Sequence, residues 1–225
     1  AVVETREKNC QSVIYRNGAA DFQMGVDDVE AVDYGAYGAL VTTGTVLAAE
    51  PSRSAAFRAF ELAREAGVPL IFDVDYRPYS WPSADVAAEN YSRAAALCDI
   101  IVGNDEEFGF MAGGYDKGLA KAKNLLAGKA RIVVYKMGAK GAITMTRDGV
   151  FETGVYRTQA LKPTGAGDSF MGGLLAGLAE GRPLREAVLR GSAAAAIVVS
   201  RVGCAPAMPT EAEIDAFMAT QLEPA

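Results

Sequence analysis

The 225-residue sequence contains no histidine. That absence removes Ser-His-Asp and Cys-His nucleophilic sites, histidine metal ligands and histidine general bases, and it leaves proton chemistry to Asp, Glu, Lys, Tyr or Cys. Cysteine is scarce. Cys10, Cys98 and Cys204 stand far apart, a spacing that suits neither a zinc module nor a disulfide framework and points to a reducing, cytoplasmic setting. Long apolar runs are missing as well: stretches such as 193–199 fall well short of the roughly 20 residues of a membrane helix. No signal-peptide pattern opens the chain, so no membrane partner is expected. Positive charge is not in excess, with 22 Lys and Arg against 28 Asp and Glu and a formal charge of -6. Without a basic cluster or a basic-aromatic alternation there is no electrostatic footprint for nucleic acid. An anionic ligand would need positive groups placed locally.

Half of the residues are hydrophobic, enough for one large domain burying about 70% of its unfolded surface. Short β-branched runs at 39–43, 70–74, 100–102 and 132–136 alternate with amphipathic stretches at 52–66, 83–97 and 117–126. This order predicts an α/β fold with a mostly parallel sheet covered by helices. Segments 142–146 and 150–156 flank Arg147-Asp148-Gly149 and predict a hairpin. The last third predicts helices over 167–180, 183–201 and 211–220. Segment 2–22 alternates like a strand pair around Asn17-Gly18, and it begins in mid-pattern, as the C-terminal portion of a longer protein would. A glycosylation sequon at Asn90-Tyr91-Ser92 falls inside a predicted helix and is discounted.

The richest chemistry lies in Lys162-Pro163-Thr164-Gly165-Ala166-Gly167-Asp168, which passes from a polar loop into an apolar helix. Small residues at 165–167 let backbone N–H groups approach an anion, and the helix they open adds a partial positive end. The string is not a Walker A loop, because no Lys-Ser/Thr pair follows the glycines. Nor is it the dinucleotide fingerprint of a nicotinamide oxidoreductase, because Phe170 stands where the third glycine should be. Asp168, in the first turn, is placed to take a proton from an attacking hydroxyl beside a bound phosphate. The plainer alternative is a glycine turn whose helix carries a capping Asp.

Position for position, this string resembles the second signature of the PfkB carbohydrate kinases and is specific for it. The resemblance implies a ribokinase-like three-layer sandwich in which Asp168 is the catalytic base and Gly165, Ala166 and Gly167 neutralise the transferring phosphate. It extends along most of the chain. Asn104-Asp105-Glu106-Glu107, after the run Ile100-Ile-Val-Gly103, matches the family's Asn-x-x-Glu element, and Glu107 with Asn104 would hold Mg²⁺ through water; an acidic helix start is the alternative. The strand and turn at 132–141 resembles the nucleotide-contacting strand, with Gly138 and Gly141 letting backbone approach ATP and Lys136 reaching its phosphates. Segment 195–204 corresponds to the adenine-side helix and loop. Many family members carry Asp-Thr where this chain has Lys162-Pro163, and that Asp helps build a monovalent-cation site, so the pair weighs against potassium dependence. Lys162 and Thr164 would instead face the nucleotide, or Lys162 is a solvated surface lysine.

Asp73-Val-Asp75-Tyr76-Arg77-Pro78, followed by Trp81, resembles the branch of the family that phosphorylates 5-dehydro-2-deoxygluconate in inositol breakdown; kinases of 2-keto-3-deoxygluconate are the neighbouring branch. Asp75 and Arg77 would enter the sugar site, Arg77 pairing in bidentate fashion with a substrate carboxylate, with Tyr15 and Arg16 adding a second contact. A salt-bridged surface loop is the alternative. The expectation is one kinase domain, residues 1–25 supplying lid and sheet strands and 39–225 the nucleotide-binding core. Its partners would be a sugar acid, ATP and Mg²⁺, with room for a homo-oligomer. A binding protein without turnover is the competing class.

Overall fold

A computed structural model describes residues 2–3, 12–13, 18–162, 164–221 and 224. The first strands, β1 (Val2–Val3) and β2 (Ser12–Val13), pair antiparallel with Val2 opposite Val13 and Val3 opposite Ser12. Of the predicted turn Asn17-Gly18, Asn17 lies outside the described residues and Gly18 takes φ +67°. Phe22 belongs to a short helix, α1 (Ala20–Gln23), followed by α2 (Val26–Glu30). Elements this short carry too few residues for a period to be read from sequence.

The β-branched runs do become strands. β3 (Leu40–Thr43), β4 (Leu70–Asp73), β5 (Ile100–Asn104) and β6 (Ile132–Lys136) pair in parallel, and β7 (Ala142–Thr146) returns antiparallel to β6. With β8 (Val150–Thr153) they form a six-stranded sheet ordered β3-β4-β5-β6-β7-β8. All four residues of β4 are buried, as expected for a parallel strand covered on both faces. β5 runs two residues past the predicted end, because Gly103 and Asn104 continue the ladder against Tyr135 and Lys136. β8 stops at Thr153 where Gly141 (φ +89°) crosses it, so close that a Cβ on Gly141 would lie 1.9 Å from the Thr153 carbonyl oxygen.

Two compact units make up the chain: residues 16–138 with 142–150, and residues 1–15 with 139–141 and 151–225. In the first, α3 (Ser52–Glu65), α4 (Ala84–Leu97), α5 (Asp105–Met111) and α6 (Gly118–Leu125) flank the strands over a core that includes Phe60, Phe72, Tyr91, Ile101 and Phe108. Arg64 bridges to Asp99 at 2.9 Å, and Asp99 Oδ2 also accepts the Leu70 N–H at 2.8 Å, which fixes where β4 begins.

The second unit is built on α7 (Ala166–Ala179) and α8 (Leu184–Val199), with α9 (Glu211–Thr220) beside α8. Gly181 (φ +73°) follows the end of α7, the usual place for a glycine at a helix C-terminus, and Pro183 is the N-cap of α8. The two helices run antiparallel at close range: Gly191 lies against Phe170, Gly173 against Arg190 and Gly177 against Ala187. Glycine at these positions lets backbone meet backbone.

Candidate active site

Strand ends position the side chains of the first unit, as in open α/β sheets where ligands bind beyond the carboxyl ends of strands. Asn104 is both the last residue of β5 and the N-cap of α5: its Oδ1 accepts the Glu107 N–H at 2.8 Å, and Glu107 Oε2 accepts the Asn104 N–H at 2.7 Å. This capping box holds both residues of the Asn-x-x-Glu element. Lys136, at the end of β6, is the register partner of Asn104. Glu107 is only 8% exposed. Burial raises its carboxyl above the ordinary range, against the lowering effect of the Lys136 charge and of the backbone N–H groups of Asn104 and Tyr76.

The loop after β4 meets the same carboxylate. Val74 N–H still donates to the Val102 carbonyl at 2.9 Å, and then the chain leaves the ladder. Asp75 takes φ +38°, the one positive value at a non-glycine among the described residues; Asp tolerates this region better than most side chains. Tyr76 N–H donates to Glu107 Oε1 at 3.2 Å. Arg77 Nη2 sits 2.5 Å from Asp75 Oδ1, and its Nη1 donates to the Tyr76 carbonyl at 3.0 Å. Asp75, Arg77, Asn104, Glu107 and Lys136 are thus gathered at neighbouring strand ends.

Sequence reading missed the supports of this loop. Tyr91 Oη donates to the Asp75 carbonyl at 3.3 Å, and the Tyr76 ring stacks on Phe110 with centroids 3.6 Å apart and planes 11° apart. Phe110 follows Glu107 by three residues, a spacing that shares a helix face. Nothing in the sequence pairs Tyr91 with Asp75. Burial pushes the Tyr91 phenol well above its usual range, so it stays a donor.

In the second unit Gly165 caps α7 in the left-handed region, φ +86°. A Cβ there would lie 2.9 Å from Cys204 Sγ and 3.3 Å from Met208 Cε, so the turn is held by packing as well as by its own conformation. Ala166 and Gly167 form the first turn, and Asp168 and Gly167 are exposed. Lys162 and Thr164 are half-buried; the N–H groups of Leu161 and Lys162 both donate to the Val199 carbonyl, at 2.8 and 3.2 Å, tying the loop to the end of α8. Gly138 opens a short 3-10 turn after β6 with φ +56°. Tyr15, Arg16 and Pro163 lie outside the described residues.

Among the described residues no group of three or more Cys, Asp or Glu side chains could hold a metal ion directly. Glu107 suits a hydrated one: each of its oxygens accepts one backbone N–H and keeps a second lone pair for a metal-bound water. No helix among the described residues is long and apolar enough to cross a membrane.

The mostly parallel sheet with its flanking helices and the glycine turn opening a helix on an aspartate define a ribokinase-like α/β fold. The chain belongs to the pfkB family carbohydrate kinases, whose family pattern matches residues 1–211. A 5-dehydro-2-deoxygluconokinase of Bacillus anthracis (strain CDC 684 / NRRL 3495) is 41% identical over 221 residues, covering 96% of this chain and 67% of that protein. A fructokinase from Vibrio cholerae O395, solved with fructose, ADP and calcium, superposes with a TM-score of 0.80 at 26% identity over 96% of this chain and 70% of its own. An aminoimidazole riboside kinase from Salmonella enterica, solved with aminoimidazole riboside and an ATP analog, gives a TM-score of 0.72 at 28% identity, over 80% of this chain and 62% of its own. The chain therefore spans about two thirds of the length of the relatives it matches.

Proposed function

We propose that this chain carries the nucleotide side and part of the sugar side of a kinase that phosphorylates a primary hydroxyl of a sugar acid, 5-dehydro-2-deoxy-D-gluconate, as in inositol breakdown. The observation that carries the substrate class is the Asp75–Arg77 pair at the end of β4, in a chain 41% identical to a 5-dehydro-2-deoxygluconokinase. Arg77 offers a planar fork to a carboxylate, and an incoming carboxylate can take over the partner that Asp75 now is. Asp168 removes the proton from the attacking hydroxyl as its oxygen bonds to the γ-phosphorus and the bond to ADP breaks. The N–H groups of the Gly165–Gly167 turn and the end of α7 face the charge that gathers on the transferring phosphoryl group. Lys136 and Lys162 supply positive charge on the nucleotide side, with Gly138, Gly141 and Thr164 lining it. Asn104 and Glu107 would hold a nucleotide-bound Mg²⁺ through water, and the ion would supply positive charge to the phosphates there.

ADP release by the purified protein with Mg²⁺-ATP, following addition of 5-dehydro-2-deoxygluconate, 2-keto-3-deoxygluconate or a neutral ketose, tests the reading. Turnover with the first alone supports it, and turnover only with the neutral sugar sinks the role of Arg77. Nucleotide binding with no turnover on any of the three would make this chain a binding unit.

A further inference from the structure

We infer that Glu107 is a positioning residue for the sugar-acid loop: its carboxylate fastens the backbone of Tyr76, and with it Asp75 and Arg77, to the start of α5. The inference rests on the proposed sugar-acid reading of Arg77 and assigns Glu107 a task that needs no metal. Tyr76 is 31 residues away in sequence, yet its N–H donates to Glu107 Oε1 at 3.2 Å, while Oε2 accepts the Asn104 N–H at 2.7 Å. Ladder bonding of this strand ends with Val74, so Tyr76 N–H would otherwise lack the neighbour that a longer strand supplies. The loop also holds Asp75 at φ +38°. A backbone in that region persists only where its surroundings over-determine it.

Three contacts do so here: Glu107 on the Tyr76 N–H, Tyr91 Oη on the Asp75 carbonyl at 3.3 Å, and the Tyr76 ring stacked on Phe110 of α5. The chemistry calls for a carboxylate. Two N–H donors converge on one side chain, and only Asp or Glu offers two acceptor oxygens; glutamine would turn an NH₂ toward one of them. Aspartate is shorter by one methylene. Glu107 at 8% exposure is also screened from the water that would otherwise serve the Tyr76 N–H.

The test separates positioning from metal binding by leaving the metal out. Binding of 5-dehydro-2-deoxygluconate and of ADP is measured by calorimetry in EDTA for the wild type, Glu107→Gln and Glu107→Asp, and exchange of the Tyr76 amide is followed by hydrogen–deuterium exchange. Positioning predicts that both variants weaken sugar-acid binding about 10-fold, as loss of one charge-assisted hydrogen bond would, while ADP binding stays the same. Exchange at Tyr76 should rise about 10-fold in parallel. Unchanged sugar-acid binding, or an unchanged Tyr76 amide, in a folded variant overturns the inference and leaves the reading of Arg77 intact. A wild type that binds no sugar acid overturns that reading and the role of Glu107 with it. Should Glu107→Gln not fold, Glu107→Asp carries both measurements.

Discussion

Replacing Gly172 by alanine is expected to stabilise the protein, and replacing its neighbour Gly173 to destabilise it. Both sit in the interior of α7, where alanine is favoured over glycine by about 0.5–1 kcal/mol through lower backbone entropy. At Gly172 an added Cβ meets nothing within 4 Å, so that gain is realised. At Gly173 the same atom would lie 2.8 Å from the Arg190 carbonyl oxygen and 3.0 Å from Gly191 Cα. Carbon contacts are optimal at about 3.5–4.0 Å, and both neighbours are α8 backbone, which moves only as a helix. Overpacking of this kind costs about 1–3 kcal/mol, which leaves a net loss of up to about 2.5 kcal/mol after the propensity gain. The propensity gain is common to both, so the two variants should differ by the overpacking cost, about 1–3 kcal/mol, or roughly 2–12 °C in Tm for a chain of this size. Thermal melts of the purified proteins read this directly, with the Gly172→Ala protein as internal control. Two shifts in the same direction and of equal size would refute the close packing of α7 on α8.

Asp168→Asn should lower turnover by about 10²–10⁴ and leave Tm within about 1 °C, because exposed substitutions rarely matter to stability; wild-type turnover would end its role as base. Glu213 closes a capping box with Thr210 and accepts from Arg201 Nη2 at 2.5 Å, and these partners hold its carboxyl down from 4.5 to about 2. A depressed carboxyl stabilises above its unfolded value and loses that contribution as pH falls through its folded value, so α9 should loosen between about pH 4.5 and 2. Limited proteolysis across that window should show Glu213→Gln already loosened at neutral pH and less sensitive to acid. Arg190, 2% exposed, pairs with Asp215 and lies 3.8 Å from Glu211. Asp215→Ala should destabilise by about 1–2 kcal/mol in urea melts, less than a pair buried on both sides because Asp215 is half exposed. Arg190→Met should be milder than Asp215→Ala, since it strands no charge.

The parallel strands were legible because each is a short β-branched run buried on both faces, and the hairpin because Arg147-Asp148-Gly149 has turn chemistry. The extent of β5 was harder to read: the predicted run 100–102 stopped two residues short, since Gly103 and Asn104 are strand only through their pairing with Tyr135 and Lys136. The glycine turn at 165–167 could be read as an anion site from residue types alone. That Cys204 and Met208 brace it could not, because they come from a loop some forty residues later.

Residue types and local spacing by themselves determined the α/β class, the strand-end placement of Arg77 and Asn104, and the helix start that carries Asp168, because each depends on a few neighbours along the chain. Only the tertiary structure decided which of two adjacent glycines tolerates a side chain, and that the carboxylate of Glu107 reaches Tyr76. Both turn on what another segment brings within about 3 Å, and a sequence holds no record of that distance.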